Sequence, residues 1–68
     1  MSDILEKVIA LRKIDSDSVF SFKSSKFGYS VYISLNGLDY LSNVYFKHPN
    51  DAINDAFEKI SKITGIEI

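Results

Sequence analysis

The spacing of apolar positions changes character along the chain, and each change marks an element. Ile4, Leu5, Val8 and Ile9 share one stripe at helical spacing, with Leu11 at its margin. This predicts a helix from about Asp3 to about Lys13, with Asp3 and Glu6 placed as in a capping box. Asp15, Ser16, Asp17 and Ser18 follow, and their short polar side chains compete for backbone hydrogen bonds, which favours a loop. From Val19 to Lys23 the period becomes two: Phe20 and Phe22 point one way, Val19, Ser21 and Lys23 the other. That is a short strand. Ser24, Ser25 and Lys26 make its connection, and Gly28 beside Phe27 suggests a loop end or a bulge.

Asn36-Gly37 carries the most information, because a type I′ turn needs positive φ at both central residues and this pair tolerates it best. A two-residue loop there sets Leu35 opposite Leu38, Ile33 opposite Tyr40, Val31 opposite Ser42, Tyr29 opposite Val44 and Phe27 opposite Phe46. All five pairs fall on one face, and all but Ser42 are apolar. The other face carries Ser30, Tyr32, Ser34, Asp39, Leu41, Asn43 and Tyr45. A slip of one residue would exchange the two sets, so turn and pattern specify the same register.

His48-Pro49-Asn50-Asp51 opens a second helix, with Pro suited to the first turn and an acid at the positive end of the helix dipole. Ala52, Ile53, Ala56, Phe57, Ile60 and Ile63 recur at helical spacing. Gly65 is placed to end the helix near Thr64, with Ile66 folding back on Ile60. The fold class is therefore α+β: helix, three-stranded antiparallel sheet, helix (αβββα), with both helices on the apolar face of the sheet. No repeat, linker or low-complexity tract interrupts residues 1–68, which read as a single domain.

Composition sets the scale. A chain of 68 residues hides only about 60 % of its unfolded surface on folding. Cores of this size seldom supply more than ~3–5 kcal/mol, which leaves a homodimer open. Hydrophobic residues at 46 % and charged residues at 25 % balance as in a globular domain. The absence of cysteine removes disulfides, thiolate metal sites and a cysteine nucleophile, and fits a cytoplasmic location. No apolar run approaches the roughly 20 residues of a membrane helix, and Asp3 and Glu6 stand where a signal peptide carries lysines. No membrane association is expected. Net charge is −1, so nothing pulls the whole chain toward nucleic acid, and such binding would have to be local.

The residue types of catalysis are present without their arrangements. His48, the only histidine, lacks the partners a zinc site needs and reads as a cap or surface residue. Asp51, Asp55 and Glu58 recur at helical spacing as a solvated face does, with Lys59 and Lys62 pairing them. No serine lies in a nucleophile elbow, and three glycines cannot write a phosphate loop. The expectation is no enzyme, no catalytic residue, no metal and no cofactor. Tyr32, Leu41 and Tyr45, by contrast, gather large side chains on the outward hairpin face, with Lys23 and Lys47 near its edge. Aromatics on an open sheet stack on unpaired bases or anchor protein partners. The slightly acidic balance favours a protein partner over nucleic acid, provided that Ile66-Glu67-Ile68 does not cover the face.

The order of elements and the chain length resemble the double-stranded-RNA-binding domain, which implies two helices on one face of a three-stranded sheet. That family grips phosphates with lysines at the start of its second helix, where this chain has Pro49, Asn50, Asp51 and Ala52. From Gly28 to Lys59 the chain is similar to HicB-type antitoxins: a glycine-led strand, a second strand and a Pro-led helix with Ala52 and Ala56. In size and layout it resembles small phage inhibitors, including anti-CRISPR proteins. These likenesses imply a non-enzymatic binding protein, an accessory or inhibitor of a phage or mobile element that occupies a surface of a larger host or nucleic-acid-handling protein. An RNA-binding module and a self-associating structural domain are the alternatives.

Overall fold

A computed structural model describes residues 3–42 and 44–68. The elements are α1 (Asp3–Ile14), β1 (Val19–Ser25), β2 (Gly28–Leu35), β3 (Leu38–Leu41) and α2 (Pro49–Thr64). The three strands form one antiparallel sheet in the order β1-β2-β3. The αβββα order expected from the sequence is the observed one. The side chain of Asp3, expected to cap α1, and the whole of Asn43, expected on the outward sheet face, lie outside the described residues.

The alternation in β2 decides the layers. Val31, Ile33 and Leu35 are buried in one cluster with Leu11 of α1 and with Ala52, Ile53, Ala56, Phe57 and Ile60 of α2. Both helices thus cover the same face. Phe57 is the hinge of this arrangement: it stacks on Phe20 of β1 with ring centroids 5.7 Å apart, and the Lys7 ammonium lies 5.5 Å from its centroid. Asp55, on another side of α2, accepts a hydrogen bond from the Tyr40 hydroxyl of β3 at 2.7 Å. α2 therefore lies across β2 and β3, and α1 lies on its β1 side.

α1 departs from the expected stripe. Leu11, placed at the margin by the sequence, is the most deeply buried, while Leu5 and Ile9 are 65 % and 56 % exposed. The inward row is Ile4, Val8 and Leu11, rotated from the sequence reading, with the Lys7 ammonium over the Phe57 ring on one flank of it. At 100° per residue, Leu5 and Ile9 flank that row on the side opposite Lys7. They face away from α2. In α2 only Ile63 leaves the expected stripe, being exposed.

Both central residues of the Asn36-Gly37 turn have positive φ, 53° and 80°, as a type I′ turn requires. The register from Leu35↔Leu38 to Tyr32↔Leu41 follows from it, and the Ser42 N–H donates to the Val31 carbonyl at 3.2 Å. Beyond Ser42 the expected pairing fails. Tyr29 pairs with Phe46, exchanging bonds of 2.9 and 2.8 Å, and not with Val44; Phe27 lies beyond the ladder, so it does not face Phe46. Between the two contacts β2 spends one residue and the returning chain three, an insertion of two that the alternating pattern conceals. Val44 and Phe27, expected on the apolar face, are accordingly 62 % and 68 % exposed.

β1 is longer than the alternation suggested, running two residues past Lys23 to a Lys26-Phe27 turn. Gly28 begins β2 at φ 128°, and a Cβ there would stand 2.5 Å from the Phe46 carbonyl oxygen. Only glycine lets the returning chain approach this closely. α2 starts at Pro49 behind an extended His48 and ends at Gly65 in the left-handed conformation, whose N–H bonds to the Ser61 carbonyl.

Candidate interaction face

The sheet face turned away from both helices carries Val19, Ser21 and Lys23 from β1, Ser30, Tyr32 and Ser34 from β2, and Asp39 and Leu41 from β3. Tyr32 and Leu41, two of the residues singled out from the sequence, are direct cross-strand partners. Leu41 is 58 % exposed; Tyr32 is half-buried. The Tyr32 hydroxyl donates to Asp39 Oδ2 at 3.3 Å, a long bond that ties the ring toward the turn. Lys23 stands opposite Ser30, one diagonal step from Tyr32.

Tyr45 and Lys47 belong to a neighbouring group. Both are exposed and lie in the segment that rejoins the sheet at Phe46. The Tyr45 ring meets Phe27 with centroids 5.8 Å apart, and the Lys26 ammonium stands 5.2 Å from the Phe27 centroid. Phe27 and Lys26 were missed by the sequence reading, which assigned Phe27 to the core. The signal was the two-residue turn that begins at Lys26 and throws the next ring outward.

Charge is unevenly placed. The stretch from Ser18 to Leu38 holds Lys23 and Lys26 and no acid, and Lys47 adds a third cation at the Phe27–Tyr45 end. Asp15, Asp17 and Asp39 lie toward the opposite, Asn36-Gly37 end. The C-terminal segment does not cover this face: Ile66 and Ile68 pack against the buried cluster on the helix side.

The acids of α2 divide. Glu58 meets Lys62 at 3.7 Å on an exposed surface, as a solvated helix face does. Asp55 departs from that expectation. Burial works against its charged form, yet hydrogen bonds from Lys59 and Tyr40 together hold its carboxyl below the usual range. The bond to Asp55, then burial, push the Tyr40 phenol up. The Lys59 ammonium, 2.7 Å from Asp55, is also raised, chiefly by that bond. Through these bonds Asp55 ties β3 to α2. Ser42 Oγ, buried nearby, forms no hydrogen bond of regular geometry, although it lies close enough to favour the ionised Tyr40 slightly.

Among the described residues no three His, Asp or Glu side chains group as metal ligands, and no helix is long and apolar enough to cross a membrane. The pocket at the end of α2, lined by Ser61, Lys62, Gly65, Ile66 and Glu67, is a shallow open hollow. Comparison with family models, with curated proteins and with solved structures finds no match to this chain.

Proposed function

We propose that the protein is a non-enzymatic binding domain that uses its outward sheet face to occupy a surface of a larger protein, in the manner of the small inhibitors and accessory proteins of phages and mobile elements. The observation that carries this reading is a run of large exposed side chains, Leu41 on the outward sheet face and Tyr45 and Phe27 beyond its end, with the half-buried Tyr32 beside Leu41. Among the described residues, the buried apolar core of nine includes none of them. Rigid aromatic anchors at low entropic cost, with lysines at the rim, are the composition of a protein-binding surface.

The test separates folding from binding. Leu41→Ala with Tyr45→Ala alters exposed side chains, so stability should shift within ~0.5 kcal/mol for each. Partner recovered by quantitative affinity capture from the native host should fall about tenfold or more, as expected when a few anchors dominate an interface. Equal capture by parent and variant, with equal melting, rejects this face.

Nucleic acid is the second reading, favoured by Lys23, Lys26 and Lys47 beside the Phe27–Tyr45 pair. Stacking on open rings with phosphates held by lysines would give binding that weakens steeply with salt. Tight single-strand or duplex binding with that salt dependence, lost on Lys23→Gln with Lys47→Gln, would replace the protein reading.

A further inference from the structure

We propose that the protein forms a two-fold dimer through the free edge of β1, each β1 pairing antiparallel with its copy about Phe22, so that two three-stranded sheets join into one.

The backbone of β1 is poised for it. On β2, Tyr29 and Val31 direct their hydrogen bonds to the β3 side. The intervening residues of β2 must therefore bond to β1, through their partners Lys23 and Ser21. Phe20, Phe22 and Ser24 are left with their N–H and C=O groups aimed at the open edge. Sheets guard such an edge with a bulge, a proline, a very short strand, a covering helix or loop, or a charge on the edge strand, lysine above all. β1 has neither bulge nor proline, is not short, and carries one lysine. It runs seven residues in unbroken register, and its single charge, Lys23, lies on the outward face.

The occupant follows from what surrounds the edge. Leu5 and Ile9, on the flank of α1 turned away from α2, are more than half exposed, and Phe22 of the edge strand is 43 % exposed. An extended peptide would satisfy the backbone and leave that apolar flank in water. A second copy brings its own Leu5, Ile9 and Phe22 to the same seam, because a two-fold interface is built from one patch twice. Pairing about Phe22 is also self-compatible. It sets Phe22 against Phe22, Phe20 against Ser24, Ser21 against Lys23 and Val19 against Ser25, so no like charges are opposed. Both copies keep the same sheet face turned away from their helices, and the dimer presents two outward faces side by side.

Sedimentation of the full chain from micromolar to submillimolar concentration should show a monomer–dimer equilibrium. Ser24→Pro removes an N–H that no intramolecular bond uses and that an edge strand can spare, so it should leave melting of the monomer unchanged and raise the dimer Kd about tenfold or more. A parent that stays monomeric throughout, or a Ser24→Pro variant that folds and dimerises like the parent, overturns the proposal. If Ser24→Pro does not fold, Leu5→Glu with Ile9→Glu decides. These side chains are exposed in the monomer, so a folded monomer supports the proposal and a folded dimer of parental affinity overturns it.

Discussion

Asp15 fastens the loop before β1 onto the far hairpin. Its Oδ2 accepts the Asn36 N–H at 2.8 Å and its Oδ1 the Asp17 N–H at 3.0 Å. The bond from Asn36, then that from Asp17, hold its carboxyl below the usual range. A folded-state pKa below the unfolded value of about 3.9 means stability that is present above that value and lost as pH falls through the folded one. Asp15→Asn should therefore be less stable than the parent near neutrality, and the gap should close in acid. Denaturant melts of both proteins at neutral pH and at about pH 2 check this; a gap that does not change with pH would deny the carboxylate its role. Two glycines make a second comparison. An alanine at Gly37 meets nothing within 4 Å, whereas at Gly28 its Cβ meets the Phe46 carbonyl oxygen. Gly37→Ala should cost about 1 kcal/mol for its positive φ. Gly28→Ala should cost clearly more, since the Tyr29–Phe46 bridge must also move, and equal melting temperatures would contradict the close approach.

Between the two helices the same kind of pattern gave unequal foresight. The stripe of α2 is broad, backed by Pro49 and Gly65, and the residues from Ala52 to Ile60 were buried as spaced. In α1 the large apolar residues Ile4, Leu5, Val8, Ile9, Leu11 and Ile14 occupy more than one flank, and periodicity alone cannot say which flank meets the core. Packing across elements decides it, with Leu11, Ile4 and Val8 at the core and Lys7 over the Phe57 ring, and such contacts have no local signature. Leu11→Ala should cost about 2–5 kcal/mol, as for a fully buried leucine, while Leu5→Ala should stay within ~0.5 kcal/mol. Urea denaturation of the two variants under conditions that keep the chain monomeric distinguishes this orientation from the one the sequence suggested. The hairpin was legible down to the residue as far as Ser42, because Asn-Gly dictates its own geometry. Past it, Tyr29 and Phe46 kept the parity of the expected partners, so the sequence held no sign of the shift. Of the proposed face, the Tyr32–Leu41 pair was legible from register, and the Phe27–Tyr45 contact was not.

Taken as one body, the molecule has a firm centre and a looser flank. β2 is bonded on both sides and covered by α2, whereas α1 holds on through one row of side chains. Local opening free energies follow such differences in burial. Amide hydrogen exchange should therefore be slowest in β2 and the middle of α2 and faster throughout α1. Protection of α1 equal to that of β2 would mean that the whole fold opens as a single unit.

The two extra residues before Phe46 bear on how this chain can change over generations. Gaining or losing one residue there would turn every later side chain of the returning segment to the other side of the sheet, a change that selection would see at once. Gaining two leaves the sidedness intact and only lengthens the excursion. Descent in steps of two is thus nearly silent for the core at this point, while the tip that carries Val44 and Tyr45 is free to vary in reach and chemistry. A lineage could remodel what it touches here without first having to repair its fold.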